Sequence, residues 1–469
     1  MDEFGTADQR RQQVKDFRQQ LNAVSPSFCL AKWKQVTVHL ATGQTHSCHH
    51  PAPHHIPLKE IAVDVTALHN TNYKKQQREM MLAGQRPAEC GYCWRVEDSD
   101  PNGEVFSDRV MKSMDSWALP HLESITTPDK VNPSYLEVSF SNTCNFKCSY
   151  CTPEASSRWL EEVKQYGPYP TSIGFNSLDW LKSQNKYPIL EREVNPYVDA
   201  FWTWWPNLYP DLEVLRITGG EPLLTKNTFK VLDYVLENPR PDLELNINSN
   251  LCVPDELINK FVDVMRRIQD ANAVKSFKLY TSCEAKGARA EYIRNGLNYN
   301  QWLDNCHRVL RDIPRAKLTV MSTYNALSVT SYKEFLEDML AIRCEYSNEQ
   351  ERHPMSVDIP YLHWPNHQSI NILSNEFLPM VADQVSYMYR NQQITHWPPL
   401  CGMGYYDYEI NRMERVYRVL ADHLNKNIDV STNRKDFAIF VDEHDRRRDT
   451  NFLDTFPEME EFYRLCKNG

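Results

Sequence analysis

No run of this sequence approaches the roughly 20 apolar residues that a membrane-crossing helix needs. The opening stretch MDEFGTADQRRQQ also lacks the apolar core of an export signal, so a cytoplasmic chain without a membrane partner is expected. An excess of positive charge is missing as well. The net charge of −10 argues against a large phosphate-binding face, and no nucleic-acid partner is expected. One further absence is local. The stretch SFSNTCNFKCSYCTP (139–153) carries Cys144, Cys148 and Cys151, one thiolate short of the four that close an ordinary zinc or iron–sulfur site. Three ligands imply a metal with one open coordination position.

What is present reads as globular: 24% charged and 41% hydrophobic residues over 469 positions, enough for two or three domains. Thirteen cysteines in a reducing compartment are thiols or metal ligands rather than disulfides. Their distribution is uneven. Cys29, Cys48, Cys90 and Cys93 lie in the first hundred residues, ahead of the trio, whereas Cys252, Cys283, Cys306, Cys344, Cys401 and Cys466 stand singly and read as small buried hydrophobes.

Short apolar runs alternate with helical patterns between residues 135 and 373. YLEVSF (135–140), LEVLRITGG (212–220), LELNINSN (243–250), FKLYTS (277–282), KLTVMSTYN (317–325) and SVDIPYLHW (356–364) read as strands. Helices are predicted at 227–238, 255–271, 299–312 and 331–343 from apolar spacing of three and four. This α/β order implies a parallel sheet with right-handed crossovers, in six units rather than the eight of a closed barrel. Ligands gather at the C-terminal ends of such strands. The cysteine trio follows the first strand, and Gly219, Gly220, Glu221 and Pro222 follow the second, where two glycines let backbone approach a small polar ligand and Glu221 can orient a cation.

CxxxCxxC after one strand and GGEP after the next resemble the radical S-adenosylmethionine enzymes, over roughly residues 135–370. The resemblance implies a partial (β/α)6 barrel in which the three cysteines hold a [4Fe–4S] cluster whose fourth iron is chelated by S-adenosylmethionine. An electron from the cluster then cleaves the sulfonium bond, and a 5′-deoxyadenosyl radical takes a hydrogen atom from substrate. Electrons come to such enzymes from a donor such as flavodoxin or ferredoxin. By the same resemblance Tyr150 lies against the adenine, Ser282 and Glu284 contact ribose or methionine, and Arg294 pairs with the methionine carboxylate. Cys283 and Ala285 depart from the family pattern, which has Ile or Leu and Gly at those places.

The four early cysteines form a second constellation, with gaps of 18, 41 and two residues. REMMLAGQRPAECGYCWRVED resembles the cysteine-bearing end of a twitch domain, here preceding the core, and implies an auxiliary [4Fe–4S] cluster held by Cys29, Cys48, Cys90 and Cys93. Zinc is the rival, since CxxC does not select the metal, and HSCHHPAPHH offers His46, His49, His50, His54 and His55 as further ligands. We read those histidines as a solvated, proline-punctuated loop. A fully ligated auxiliary cluster is expected to relay an electron from the substrate radical.

The expected division is 1–125 for the twitch-like domain, 126–373 for the core and 374–469 for a helical extension with helices at 374–391 and 408–427. In that extension the runs RRR and EMEE read as solvated faces, the segment itself as a cover for the open side of the barrel, and Cys401 as no ligand. The substrate is a small molecule, a sugar conjugate or a peptide. Asp358, Tyr361, His363 and Trp364 are candidates to face it, although alternation would bury about half of them. The other functional class is a noncatalytic iron–sulfur or zinc scaffold used as a redox sensor.

Overall fold

A computed structural model describes residues 7–100, 104–313, 315–347, 354–392 and 404–468, so Cys401 lies outside the described residues. The strands are β1 (Gln35–His39), β2 (Gln44–His46), β3 (His54–His55), β4 (Tyr135–Ser139), β5 (Lys147–Cys148), β6 (Val214–Thr218), β7 (Arg240–Asn248), β8 (Val274–Ser282), β9 (Arg294–Asn295), β10 (Ala316–Met321) and β11 (Met355–Asp358). All six strands expected from the sequence are present, and they belong to a mixed α/β fold with parallel pairing. No described helix is long and apolar enough to cross a membrane.

The chain divides into two compact units. The first comprises Met1–Ser141, Ile189–Gly219 and Asp242–Leu245; the second comprises Asn142–Pro188, Gly220–Pro241 and Asn246–Gly469. In the first unit β4 runs parallel to β6 on one side and to β1 on the other, and β1 turns back through antiparallel β2 and β3. Strand β1 and its hairpin are additions to the expected set. Residues alternate along β4, with Leu136 and Val138 buried between half-buried neighbours, which is the period-two pattern that sets its register. Helix 196–208 starts at Pro196, and the Asn195 side chain accepts hydrogen bonds from the Tyr197 and Val198 amides. A core of Phe17, Leu21, Phe28, Trp33, Met81 and Trp94 surrounds two of the cysteines, Cys90 and Cys93.

In the second unit β8, β10 and β11 are parallel neighbours, with Leu279, Leu318 and Met355 in register and buried. The helices between them follow the predicted positions closely. Helix 255–270 buries Ile258, Phe261, Val262, Met265 and Ile268 along one face, and helix 299–312 begins where the Asn298 side chain accepts the Gln301 amide. The C-terminal part is helical as expected, at 378–390, 407–425, 431–448 and 460–468.

Of three expectations on surface character, two are corrected and that for EMEE holds. Arg447 and Arg448 of the RRR run keep 1% and 0% of their side chains exposed, because Glu443 and Glu162 pair with them; Arg446 alone is solvated. In EMEE, Glu458 is exposed and pairs with Arg289, and Glu460 pairs with Arg464 at the surface, as a solvated face requires. His46 is buried and stacked on His39, with burial lowering its pKa to about 3, so the histidine segment is solvated only in part. Among the single cysteines Cys252, Cys283, Cys306 and Cys466 are buried, whereas Cys344 is exposed.

Candidate cysteine centres

The three-cysteine loop lies wholly in the second unit, and side chains from distant parts of the sequence hold its backbone. Cys148 sits in β5, which pairs antiparallel with β9, so that Cys148 and Arg294 are partners in register. The Trp159 indole donates to the Cys148 carbonyl at 2.8 Å, Asn176 to the Cys151 carbonyl at 3.0 Å and Gln368 to the Ser149 carbonyl at 3.0 Å. The Cys151 amide donates back to the Cys148 carbonyl at 2.9 Å. A loop with its carbonyls satisfied in this way is preorganised. The three cysteines are half-buried. Burial pushes the Cys151 thiol up to about 12 and raises Cys144 and Cys148, and the repulsion of Cys148 adds to the shifts of Cys144 and Cys151. Thiols held neutral by burial and mutual repulsion become thiolates readily only when a cation arrives between them.

The glycine–glutamate turn is packed too tightly for any larger residue. A Cβ at Gly220 would stand 2.5 Å from the Thr143 carbonyl oxygen and 2.8 Å from Asn142. Gly219 ends the first unit's share of this run with φ +139°, a conformation that side chains disfavour. Pro222 opens a short 3-10 turn over 222–224. The Glu221 carboxylate is 2% exposed and accepts hydrogen bonds from the Leu223 amide at 2.9 Å, the Ser249 hydroxyl at 2.8 Å and the Asn250 amide at 2.6 Å. Burial still raises its pKa to about 7, so a cationic partner would be welcomed there.

Of the remaining sequence-derived candidates, Tyr150, Glu284 and Arg294 converge beside Cys148. Arg294 Nη2 lies 2.6 Å from a Glu284 oxygen and donates to the Tyr150 hydroxyl at 2.5 Å, while Nη1 stands 3.6 Å from Cys148 Sγ. Tyr150 in turn donates to Glu284 at 3.1 Å. Burial would lower the Arg294 pKa, but the Glu284 carboxylate outweighs it and keeps the guanidinium charged. The guanidinium is therefore already engaged by an acid of the chain itself. Ser282, at the end of β8, is half-buried and stands outside this triad. Of the strand-six group, Asp358 pairs with Arg412 at 3.1 Å, the Arg415 guanidinium lies over the Tyr361 ring, and His363 and Trp364 are exposed.

The four early cysteines meet in the first unit. Cys29, Cys48, Cys90 and Cys93 line one pocket together with Lys32, Arg109, Lys112, Trp94 and Met81. Burial pushes Cys90 and Cys93 up to about 12, and each feels the charge of the other sulfurs. Lys32 is 2% exposed and pairs with Glu89; burial opposes its charge, yet Cys90 and Glu89 together raise its pKa. Arg109 is fixed by Glu97 at 2.8 Å and by the Phe28 carbonyl at 2.8 Å. At the rim, His49, His50 and Asp108 bring three donor atoms within 4.8 Å of one another, with Lys112 donating to His49 Nδ1 at 2.7 Å. Among the described residues no three sulfurs approach one another that closely.

No family model matches the chain. Similar proteins occur in Nautilia profundicola (26% identical over 129 residues, 28% of this chain and 31% of that protein) and Syntrophomonas wolfei (23% over 153 residues, 32% and 38%). A third, from Cronobacter sakazakii, is 33% identical over 105 residues, 22% of this chain and 23% of that protein. Each is named GTP 3′,8-cyclase, a radical S-adenosylmethionine family. The chain thus spans between 23% and 38% of the length of these relatives.

Likeness to the GTP 3′,8-cyclases does not extend over most of this chain, and several residues of both centres were unmarked in the sequence. Trp159, Asn176 and Gln368 act on loop carbonyls from 8 to 217 residues beyond Cys151, with no local motif to flag them. Lys32 did carry a signal, since it stands three residues after Cys29 on the short helix 31–34.

Proposed function

We propose that this chain is a radical S-adenosylmethionine enzyme: a partial (β/α)6 barrel with an N-terminal twitch-like domain and a helical C-terminal extension, acting on a small molecule, a sugar conjugate or a peptide. The observation that carries the reading is the gathering, in one compact unit, of three half-buried thiols in one loop and a buried Glu221 beside a glycine that admits no side chain. The similarity to GTP 3′,8-cyclases supports it.

The donor set fits the group: Cys144, Cys148 and Cys151 would hold three irons, and Glu221 would take the amino group of S-adenosylmethionine. When bound, the cluster and S-adenosylmethionine supply a one-electron donor and a sulfonium bond that reductive cleavage converts to a hydrogen-abstracting species. Glu221 orients the cation through a carboxylate fixed by Ser249, Asn250 and Leu223. Arg294 holds positive charge next to Cys148, and Glu284 and Tyr150 keep its fork in place. By the resemblance, Tyr150 would lie against the adenine and Ser282 would contact ribose or methionine.

Cys29, Cys48, Cys90 and Cys93 are proposed to hold an auxiliary [4Fe–4S] cluster that exchanges an electron with substrate. Zinc held by the same four cysteines is the alternative, and a count of iron and zinc on one sample separates the two. Lys32 and Lys112 offset the negative charge such a group brings.

The test is anaerobic reconstitution, addition of dithionite and S-adenosylmethionine, and quantification of 5′-deoxyadenosine. Wild type forms it and Cys148→Ala does not. Protein that holds iron at the loop and still forms none would be a redox scaffold instead. GTP, named in the relatives, is the first substrate to add in that assay.

A further inference from the structure

Arg448 ends the helix 431–448 and belongs to a run that reads as surface, yet its side chain is 0% exposed. Its Nη1 donates to the Lys147 carbonyl at 2.7 Å, in the residue before Cys148. Its Nε lies 3.2 Å from Glu162, which Lys147 Nζ also reaches at 2.7 Å. The guanidinium stacks on Trp159 with 4.7 Å to the ring centroid, and that indole is the one that donates to the Cys148 carbonyl. Two fixed cations share one carboxylate here, leaving net positive charge buried against the loop. The imidazole of His444, on the same helix, is buried and its pKa is lowered to about 4, so it adds no charge near neutral pH.

We propose that Arg448 is a positioning residue for the three-cysteine loop and that its buried charge raises the reduction potential of the iron–sulfur cluster held there. The inference rests on the proposed function and adds to it a part for the C-terminal helix. A cation in a low-dielectric site stabilises the form carrying one more electron, and the effect is large because little water screens it. The hydrogen bond to the Lys147 carbonyl fixes the backbone from which Cys148 projects.

The experiment is a dithionite titration followed by electron paramagnetic resonance on reconstituted wild type, Arg448→Met, Arg448→Lys and Glu162→Gln, reading the signal that changes when S-adenosylmethionine is added. Arg448→Met is expected to lower the midpoint potential at equal iron content, Arg448→Lys to restore most of the shift, and Glu162→Gln to raise the potential. Arg448→Met with wild-type iron content and an unchanged midpoint overturns the inference. If Arg448→Met takes up no iron, Glu162→Gln decides, and an unchanged potential there overturns it. Wild type without a signal responsive to S-adenosylmethionine overturns instead the functional reading beneath.

Discussion

The two cysteine centres are built by opposite means. Cys144, Cys148 and Cys151 sit within eight consecutive residues, and Trp159, Asn176 and Gln368 hold that one loop by its carbonyls. Cys29, Cys48, Cys90 and Cys93 come from three separate segments brought together by packing around Trp33, Met81 and Trp94. A local site depends on backbone geometry, whereas an assembled one depends on the core and on compensating its buried charge.

The largest effects should separate the centres by step. Cys148→Ala is expected to abolish 5′-deoxyadenosine formation, while Cys90→Ala leaves it and lowers product yield from substrate; equal loss of 5′-deoxyadenosine in both variants would erase the distinction. Next comes the buried pair at the assembled site. Lys32→Met removes the cationic partner of Glu89, leaving it the Tyr73 hydroxyl, and should destabilise the protein by about 3 kcal/mol in urea unfolding. A loss below about 1 kcal/mol would mean that Glu89 finds water.

Glycine substitutions sharpen the contrast further. Gly220→Ala forces a Cβ against backbone at 2.5 Å and should destabilise by about 1–3 kcal/mol, with S-adenosylmethionine binding lost. Gly91→Ala, between Cys90 and Cys93 on helix 91–98, meets only the tip of Arg95 at 3.4 Å and should change stability by no more than about 1 kcal/mol. Similar losses at both positions would contradict the view that the loop alone is limited by its backbone.

The smallest effect is a pH slope confined to the loop centre. Burial raises Glu221 from 4.5 to about 7, so its carboxylate must be ionised before it can take an ammonium group. Affinity for S-adenosylmethionine, measured by calorimetry, should rise about tenfold per pH unit below 7 and flatten above it. Glu221→Gln should remove the part of the slope that comes from this residue. The same shift affects folding with the opposite slope: the contribution of Glu221 is fully present below pH 4.5 and is lost as pH rises through about 7, because the unfolded chain ionises first.

Legibility in the sequence followed the same division. YLEVSF announced β4 and helix 299–312 was placed to the residue, since both are written in local alternation and periodicity. Strand β1 was not, because QVTVH is five residues whose identity as a strand depends on pairing with Tyr135–Ser139 a hundred positions away. The RRR run misled for a related reason: charge predicts exposure unless a distant acid is present, and Glu162 stands 286 positions from Arg448. Arg294 was found as a candidate, but its engagement by Glu284 was visible only in the fold.

The central claim is that each centre holds a [4Fe–4S] cluster, and metal content tests it most directly. After anaerobic reconstitution, iron, acid-labile sulfide and zinc are counted on one sample of wild-type protein. The account predicts roughly eight iron and eight sulfide per chain with no zinc. Roughly four of each with one zinc would contradict it, making the assembled site structural and removing the electron exchange assigned to it.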